Sequence, residues 1–153
     1  MSVTFERATP EDAKALVKAQ IAAFHDDARI YPGVEIGGPP GYDSVDVALR
    51  NMQESDFYKI VVDAQIIGGI IVAHMGEGHY HLDVLNVVPE YHNLGIGTRA
   101  MQFIEQTYPA TKWTLDTPTY AMRNQHFYEK CGYVKVGITE HPEITLISYE
   151  KRV

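Results

Sequence analysis

Four titratable residues, Glu77, His79, His81 and Asp83, crowd one short stretch of the chain. His79, His81 and Asp83 alternate, so on a strand they share one face, with Tyr80, Leu82 and Val84 on the other. Such a row can pass protons along a chain of waters, and histidine titrates near neutral pH. A solvated hairpin face has the same pattern. Metal binding by His79-x-His81-x-Asp83 is disfavoured, because three groups on one strand rarely converge on an ion without ligands from elsewhere. No metal is expected.

Immediately downstream, Val84-Leu85-Asn86-Val87-Val88-Pro89 runs into His92-Asn93-Leu94-Gly95-Ile96-Gly97-Thr98-Arg99-Ala100. An apolar strand, a glycine-bearing loop and an amphipathic helix in that order leave unpaired N–H groups at a helix N-terminus. The helix dipole favours negative charge there, so a phosphate-bearing ligand suits the loop. Gly95 and Gly97 are read as removing side chains that would hold a pyrophosphate off the backbone. The loop is not a dinucleotide fingerprint, since the third glycine is missing, nor a Walker loop, since no Gly-Lys-Ser/Thr follows. By themselves the two glycines also fit a tight strand-to-helix turn.

The elements that hold these residues follow from periodicity. Val3 to Ala8 alternates as a strand, and Thr9-Pro10-Glu11-Asp12 starts a helix whose inward stripe is Ala13, Leu16, Val17, Gln20, Ile21 and Phe24. From His25 to Tyr42 the pattern dissolves into Pro, Gly and acidic residues, a length usual for a functional or mobile loop. A helix is expected from about Asp43 to Gln53, then strands over Phe57–Val62 and Ile66–Ala73 joined across Asp63-Ala64-Gln65. Gly68-Gly69 inside the second strand signals a bulge or a close backbone approach. His79–Val87 is the next strand, Leu94–Tyr108 a helix, Lys112–Asp116 a strand and Tyr120–Lys130 a helix. Tyr133–Ile138 and Ile144–Glu150 finish the sheet. The last of these leaves open a homodimer paired through it or a sheet that simply ends there.

With 153 residues the chain suits one domain, residues 1–153. The net charge of −7 disfavours nucleic acid and suits a cationic or neutral small substrate. Cys131 is the only cysteine, so no internal disulfide forms and a reducing, cytoplasmic setting is expected. It reads as a small buried residue rather than a nucleophile. No signal-peptide pattern or membrane span is evident, so no membrane partner is expected.

The Val88-Pro89-Glu90 exit, the glycine loop, the Trp113 strand and Asn124-Gln125-His126-Phe127-Tyr128-Glu129-Lys130-Cys131-Gly132-Tyr133 occur in one order. Together they resemble the GCN5-related N-acetyltransferase (GNAT) superfamily over essentially the whole chain. The family loop reads Arg/Gln-x-x-Gly-x-Gly/Ala; Gly95 and Gly97 fit it and His92 departs from the usual residue. The resemblance implies an α/β fold, with a mixed, mostly antiparallel sheet of about six to seven strands and about four helices. It implies a splay between the fourth and fifth strands. It also implies acetyl-CoA as acetyl donor, with its pyrophosphate on His92, Asn93, Leu94, Gly95, Ile96, Gly97 and Thr98. Pantetheine would lie along the backbone of Leu85, Asn86 and Val87, with Asn124 and Phe127 beside the cofactor. By the same resemblance Tyr128 is the general acid for the departing thiolate.

The implied activity is transfer of acetyl to a primary amine of a small molecule or peptide by direct attack in a ternary complex. His81, Asp83 and Glu77 are the candidates for base or water relay. Asp116 either attracts a cationic amine or caps the helix start near Pro118. Acid and aromatic groups in the long segment, among them Asp26, Asp27, Tyr31 and Tyr42, suit a protonated amine and suit a solvated loop equally well. A non-catalytic acyl-CoA-binding module and a nucleotide-binding domain using the same loop remain as alternatives.

Overall fold

Alternation in Val3-Thr4-Phe5-Glu6-Arg7 becomes strand β1, and the Asp12 carboxylate then accepts the Thr9 N–H at 2.8 Å to start the first helical turn. A computed structural model describes all of residues 1–153. After β1 come helix α1 (Ala13–His25), a single turn α2 (Asp27–Ile30), α3 (Val45–Glu54), β2 (Asp56–Val62), β3 (Gln65–Gly76) and β4 (His79–Val87). Helix α4 (Ile96–Thr107), β5 (Lys112–Pro118), α5 (Met122–Lys130), β6 (Val134–Glu140) and β7 (Thr145–Arg152) complete the chain. The seven strands form one sheet in the order β1-β2-β3-β4-β5-β7-β6, antiparallel except for β4 beside β5. β7 lies inside the sheet with both edges occupied, so the free edges belong to β6 and, at the other end, β1. No helix is long and apolar enough to cross a membrane.

Two apolar clusters hold the layers. On one face Ile96, Ala100, Met101 and Ile104 of α4 pack with Trp113, Leu115, Tyr128 and Tyr149. On the other, Leu16 and Val17 of α1 and Ala48 of α3 pack on Phe57 and Ile71. That second layer reaches β2, β3 and β4.

β4 changes phase within its length. Val72 pairs with Leu82 and Ile71 with Val84, so Asp83 is an extra residue with no partner opposite. Leu82 belongs to the α4-side cluster, and beyond the bulge Leu85 and Val87 pack against it. Val84 joins the α1 side instead. Simple alternation from 79 to 84 therefore fails at the bulge, and Val84 parts company with Tyr80 and Leu82.

Asp56 ties the start of β2 to three other elements. It accepts from Tyr108 at 2.6 Å, His74 at 2.7 Å and Arg7 at 2.6 Å. Burial pushes its carboxyl up, but the bonds from Tyr108 and His74 and the Arg7 charge outweigh that and hold it below the usual range. A depressed carboxyl contributes stability above its unfolded pKa and loses it as pH falls through the folded value. Stability is therefore expected to fall below about pH 4, and Asp56→Asn to cost about 2 kcal/mol at pH 7 and blunt that loss. Urea melts across pH check this; an unchanged acid profile in the variant would remove Asp56 as the cause.

Candidate functional site

β4 and β5 pair only over His79–His81 against Lys112–Thr114. Beyond that point β4 stays with β3 and β5 goes with β7. The facing edges of Leu82–Val87 and Leu115–Pro118 thus open into a wedge whose backbone groups have no strand partner. Gly68 and Gly69 let β3 close behind it: a Cβ on Gly68 would overlap the Asn86 carbonyl oxygen. The close approach anticipated for this glycine pair is present. Asn86 is 5% exposed, and its side-chain amide has no hydrogen-bond partner.

The glycine loop lies where β4 ends. Asn93 and Gly95 adopt left-handed backbone, with φ of 63° and 78°, and Gly95 caps α4. No backbone acceptor takes the N–H groups of Asn93 through Thr98. The two glycines serve different ends. At Gly95 the space a side chain would fill is open, while a Cβ on Gly97 would press on the Phe127 ring at 3.1 Å. Gly97 therefore lets α4 and α5 approach, and Gly95 makes the cap. The His92 Nε2–H donates to the Val87 carbonyl at 2.8 Å, capping a group the wedge would leave free.

On the α5 side, Tyr128 is buried with its ring near Tyr133 and Tyr149. No side-chain hydrogen bond within the chain engages its hydroxyl, and burial pushes it well above the ordinary tyrosine range; the buried hydroxyl left without a partner is that of the neighbouring Tyr133. Tyr128 stays protonated at neutral pH. Asn124, exposed on the same helix, donates to Thr117 Oγ1 at 3.4 Å.

The acid–base candidates separate. Glu77 sits exposed in the β3–β4 turn, about 25 Å along the strand from Leu85. Asp83 is the exposed bulge. His81 stands on the last β4–β5 pair, where the wedge begins. Its Nδ1 lies 2.7 Å from Thr114 Oγ1, which His79 Nε2 also meets at 2.7 Å. Its Nε2 faces Asp116 at 3.8 Å, and Asp116 accepts from Ser148 at 2.7 Å. A threonine hydroxyl has one proton, so only one of the two imidazoles can accept from it. Asp116 favours the proton on His81 Nε2, so Nδ1 accepts from Thr114 and His79 Nε2–H donates to it. Burial, then Lys112 and His81, lower the His79 pKa. Thr114 and Ser148 were missed from the sequence; the signal was Thr114-x-Asp116, which repeats on β5 the spacing of His79-x-His81.

The segment after α1 is pinned rather than loose. Tyr42 bonds His25 at 2.6 Å, accepts from Gln20 at 3.1 Å and lays its ring over Gly38. α2 meets the chain just beyond β5: Tyr31 and Tyr120 stand edge to face at 5.5 Å, and Tyr31 accepts the Arg123 N–H at 3.3 Å. Tyr120 donates to Asp27 at 3.5 Å. Burial, then Asp26, raise the Asp27 carboxyl, and burial and Asp27 push Tyr120 to about 12.

A mixed seven-stranded sheet opened between β4 and β5, with a free helix N-terminus beside the opening, is the architecture of the GNAT acetyltransferases. The Acetyltransferase (GNAT) family model matches residues 21–133, and the chain belongs to that family. The structure is similar to that of PaiA N-acetyltransferase from Thermoplasma acidophilum in complex with coenzyme A. The TM-score is 0.80, with 19% identity and full coverage of both chains. It is also similar to the ribosomal-protein-S18-alanine N-acetyltransferase of Escherichia coli, with TM-score 0.76, 12% identity and coverage of 99% and 94%. At these identities the likeness is one of fold. In sequence, 79 residues are 42% identical to the uncharacterized protein YrkN of Bacillus subtilis, which is 50% of this chain and 43% of that protein. The chain thus matches less than half the length of that relative.

Proposed function

We propose that residues 1–153 act as an acetyl-CoA-dependent N-acetyltransferase on a primary amine of a small molecule or peptide. The observation that carries this reading is the wedge. The free edge of β4 runs directly into the free N–H groups of Asn93–Thr98. A linear donor with an amide-bearing arm and a pyrophosphate needs those two features end to end. The resemblance to a protein with bound coenzyme A supports it. Acetyl-CoA supplies an activated thioester.

The residues present fit that donor. Asn93–Thr98 hold the pyrophosphate, and Leu85, Asn86 and Val87 receive the arm along their backbone edge. His92 competes for the Val87 carbonyl and must share or release it. A backbone N–H of the splayed edge polarises the acetyl carbonyl. The amine approaches over the α1-side face that carries His79 and His81. Asp27 and Asp116 attract it while protonated. His81, held between Thr114 and Asp116, passes on the proton the amine loses. Tyr128 gives its proton to the departing sulfur. Direct attack needs no covalent enzyme intermediate, and Cys131 has no role; burial raises its thiol pKa.

The test is thiol release from acetyl-CoA across polyamines, amino acids, aminoglycosides and short peptides. Release that depends on an added amine is the expected result. CoA binding without release for any amine would leave a binding module and end the enzyme reading. His81→Gln is expected to lower kcat about 100-fold with KM for the donor little changed. An unchanged kcat would remove His81 from the proton path.

A further inference from the structure

The two edges of the sheet are guarded differently. On β1 the exposed side chains are Thr4, Glu6 and Arg7, while Val3 is buried and Phe5 stacks on Phe103. Charges on an edge discourage a further strand. β6 is exposed along all seven of its residues, and Val134, Val136 and Ile138 are 64%, 58% and 68% exposed. Scattered apolar side chains on a surface need no explanation, but a row of them on an unpaired edge strand does.

The register of β6 decides what fits that edge. Lys135 lies opposite Tyr149, Ile138 opposite Ile147 and Glu140 opposite Thr145. Those three partners alternate along β7, so Lys135, Ile138 and Glu140 share one face at successive levels. Val136 is the extra residue of a bulge, because Lys135 and Gly137 face the adjacent residues Tyr149 and Ser148. The insertion therefore sets Lys135 and Glu140 one level to either side of Ile138. At the end of the strand His141 and Ile144 exchange both backbone bonds, at 2.8 and 3.3 Å. By the alternation of an antiparallel ladder Thr139 then bonds toward β7, and the N–H and C=O of Ile138 and Glu140 point to the free edge.

We propose that β6 pairs antiparallel with β6 of a second copy of this chain, about a two-fold axis at Ile138. The edge complements itself, which is why the occupant is a second copy. Rotation about Ile138 makes its outward N–H and C=O a reciprocal pair of bonds with the partner's Ile138 and lays the two exposed side chains together. The same rotation brings Lys135 of each chain opposite Glu140 of the other, closing two ion pairs, and Gly137 opposite Thr139. Like charges do not meet at any of these positions. The surface lies on the strand edge and not in the wedge, so it stands independently of the acetyl-transfer reading.

Sedimentation velocity on the protein at micromolar concentration tests this. A dimer is expected for the parent and a monomer for I138K, whose thermal midpoint should match the parent because Ile138 faces solvent in the single chain. K135E and E140K are each expected to weaken the dimer about tenfold by setting like charges opposite one another, and K135E/E140K to recover the parent affinity within about twofold. A monomeric parent, a dimer that survives I138K, or single reversals as tight as the parent each overturn the proposal. Should I138K fail to fold, the charge variants decide the matter. Weakening by both single reversals with recovery in the double supports the pairing, and no recovery overturns it.

Discussion

Tyr128→Phe is expected to lower kcat by about 100- to 1,000-fold while CoA affinity changes by less than about twofold. The size follows from what the hydroxyl would do. Amide formation expels a thiolate, and a proton delivered as the carbon–sulfur bond breaks removes developing charge from a site shielded from water. The separation from folding follows from what the hydroxyl does not do. No side-chain hydrogen bond holds it, so its loss breaks none, and the ring keeps its contacts with Phe127, Tyr133 and Tyr149. The thermal midpoint should stay within a few degrees of the parent. Since burial raises the hydroxyl pKa, the acid form persists through neutral pH and no loss of activity there traces to Tyr128. Steady-state kinetics with calorimetry decide it: a variant turning over within about twofold of the parent removes Tyr128 from the chemistry.

Gly68→Ala is expected to cost about 3 kcal/mol, near 10 °C in thermal midpoint for a chain of this size. The added methyl meets backbone, not a side chain that can swing away. It would overlap the Asn86 carbonyl oxygen and crowd Asn86 C and Val87 Cα at 3.1 Å. Relief requires β3 and β4 to part at the Gly68–Val87 and Gly69–Asn86 pairs. Those pairs back the edge of β4 that faces the wedge, so CoA affinity should fall along with stability. Gly69→Ala is the milder comparison, because its methyl meets the Phe57 ring at 3.2 Å and Leu16 at 3.4 Å, groups able to yield. Equal stability of the Gly68→Ala variant and parent by denaturant melts would show that the strands tolerate the spread.

Much of the scaffold was legible in the chain because it rests on local chemistry. Pro89, the glycines and the apolar stripe of Ile96, Ala100 and Ile104 announce strand, loop and helix without reference to anything distant. What escaped depends on partners far along the chain. The bulge at Asp83 exists only relative to β3, so alternation over 79–84 read as one uninterrupted face. The single turn Asp27–Ile30 is too short to leave a period and is held by Tyr31 against Tyr120 and α5. Gly97 looked like its neighbour Gly95 until Phe127 was seen above it. His79 and His81 were visible as a pair, but Thr114 and Asp116 became part of the cluster only when β5 lay alongside.

The bulge at Asp83 makes β4 two reading frames joined by one inserted letter. Upstream, even-numbered residues point into the α4-side core; downstream, odd-numbered ones do. Paired straight through, with Asp83 taking a partner of its own, these residues would have to choose between histidines that share an open face with β5 and the leucine–valine pair that seals the wall beneath the wedge. One residue lets the strand keep both. Because Leu82 and Val84 face the adjacent residues Val72 and Ile71, removing Asp83 would close the bulge into a regular ladder and leave every other side chain on its own face. The tolerance of this strand to change is thus measured less in chemistry than in counting.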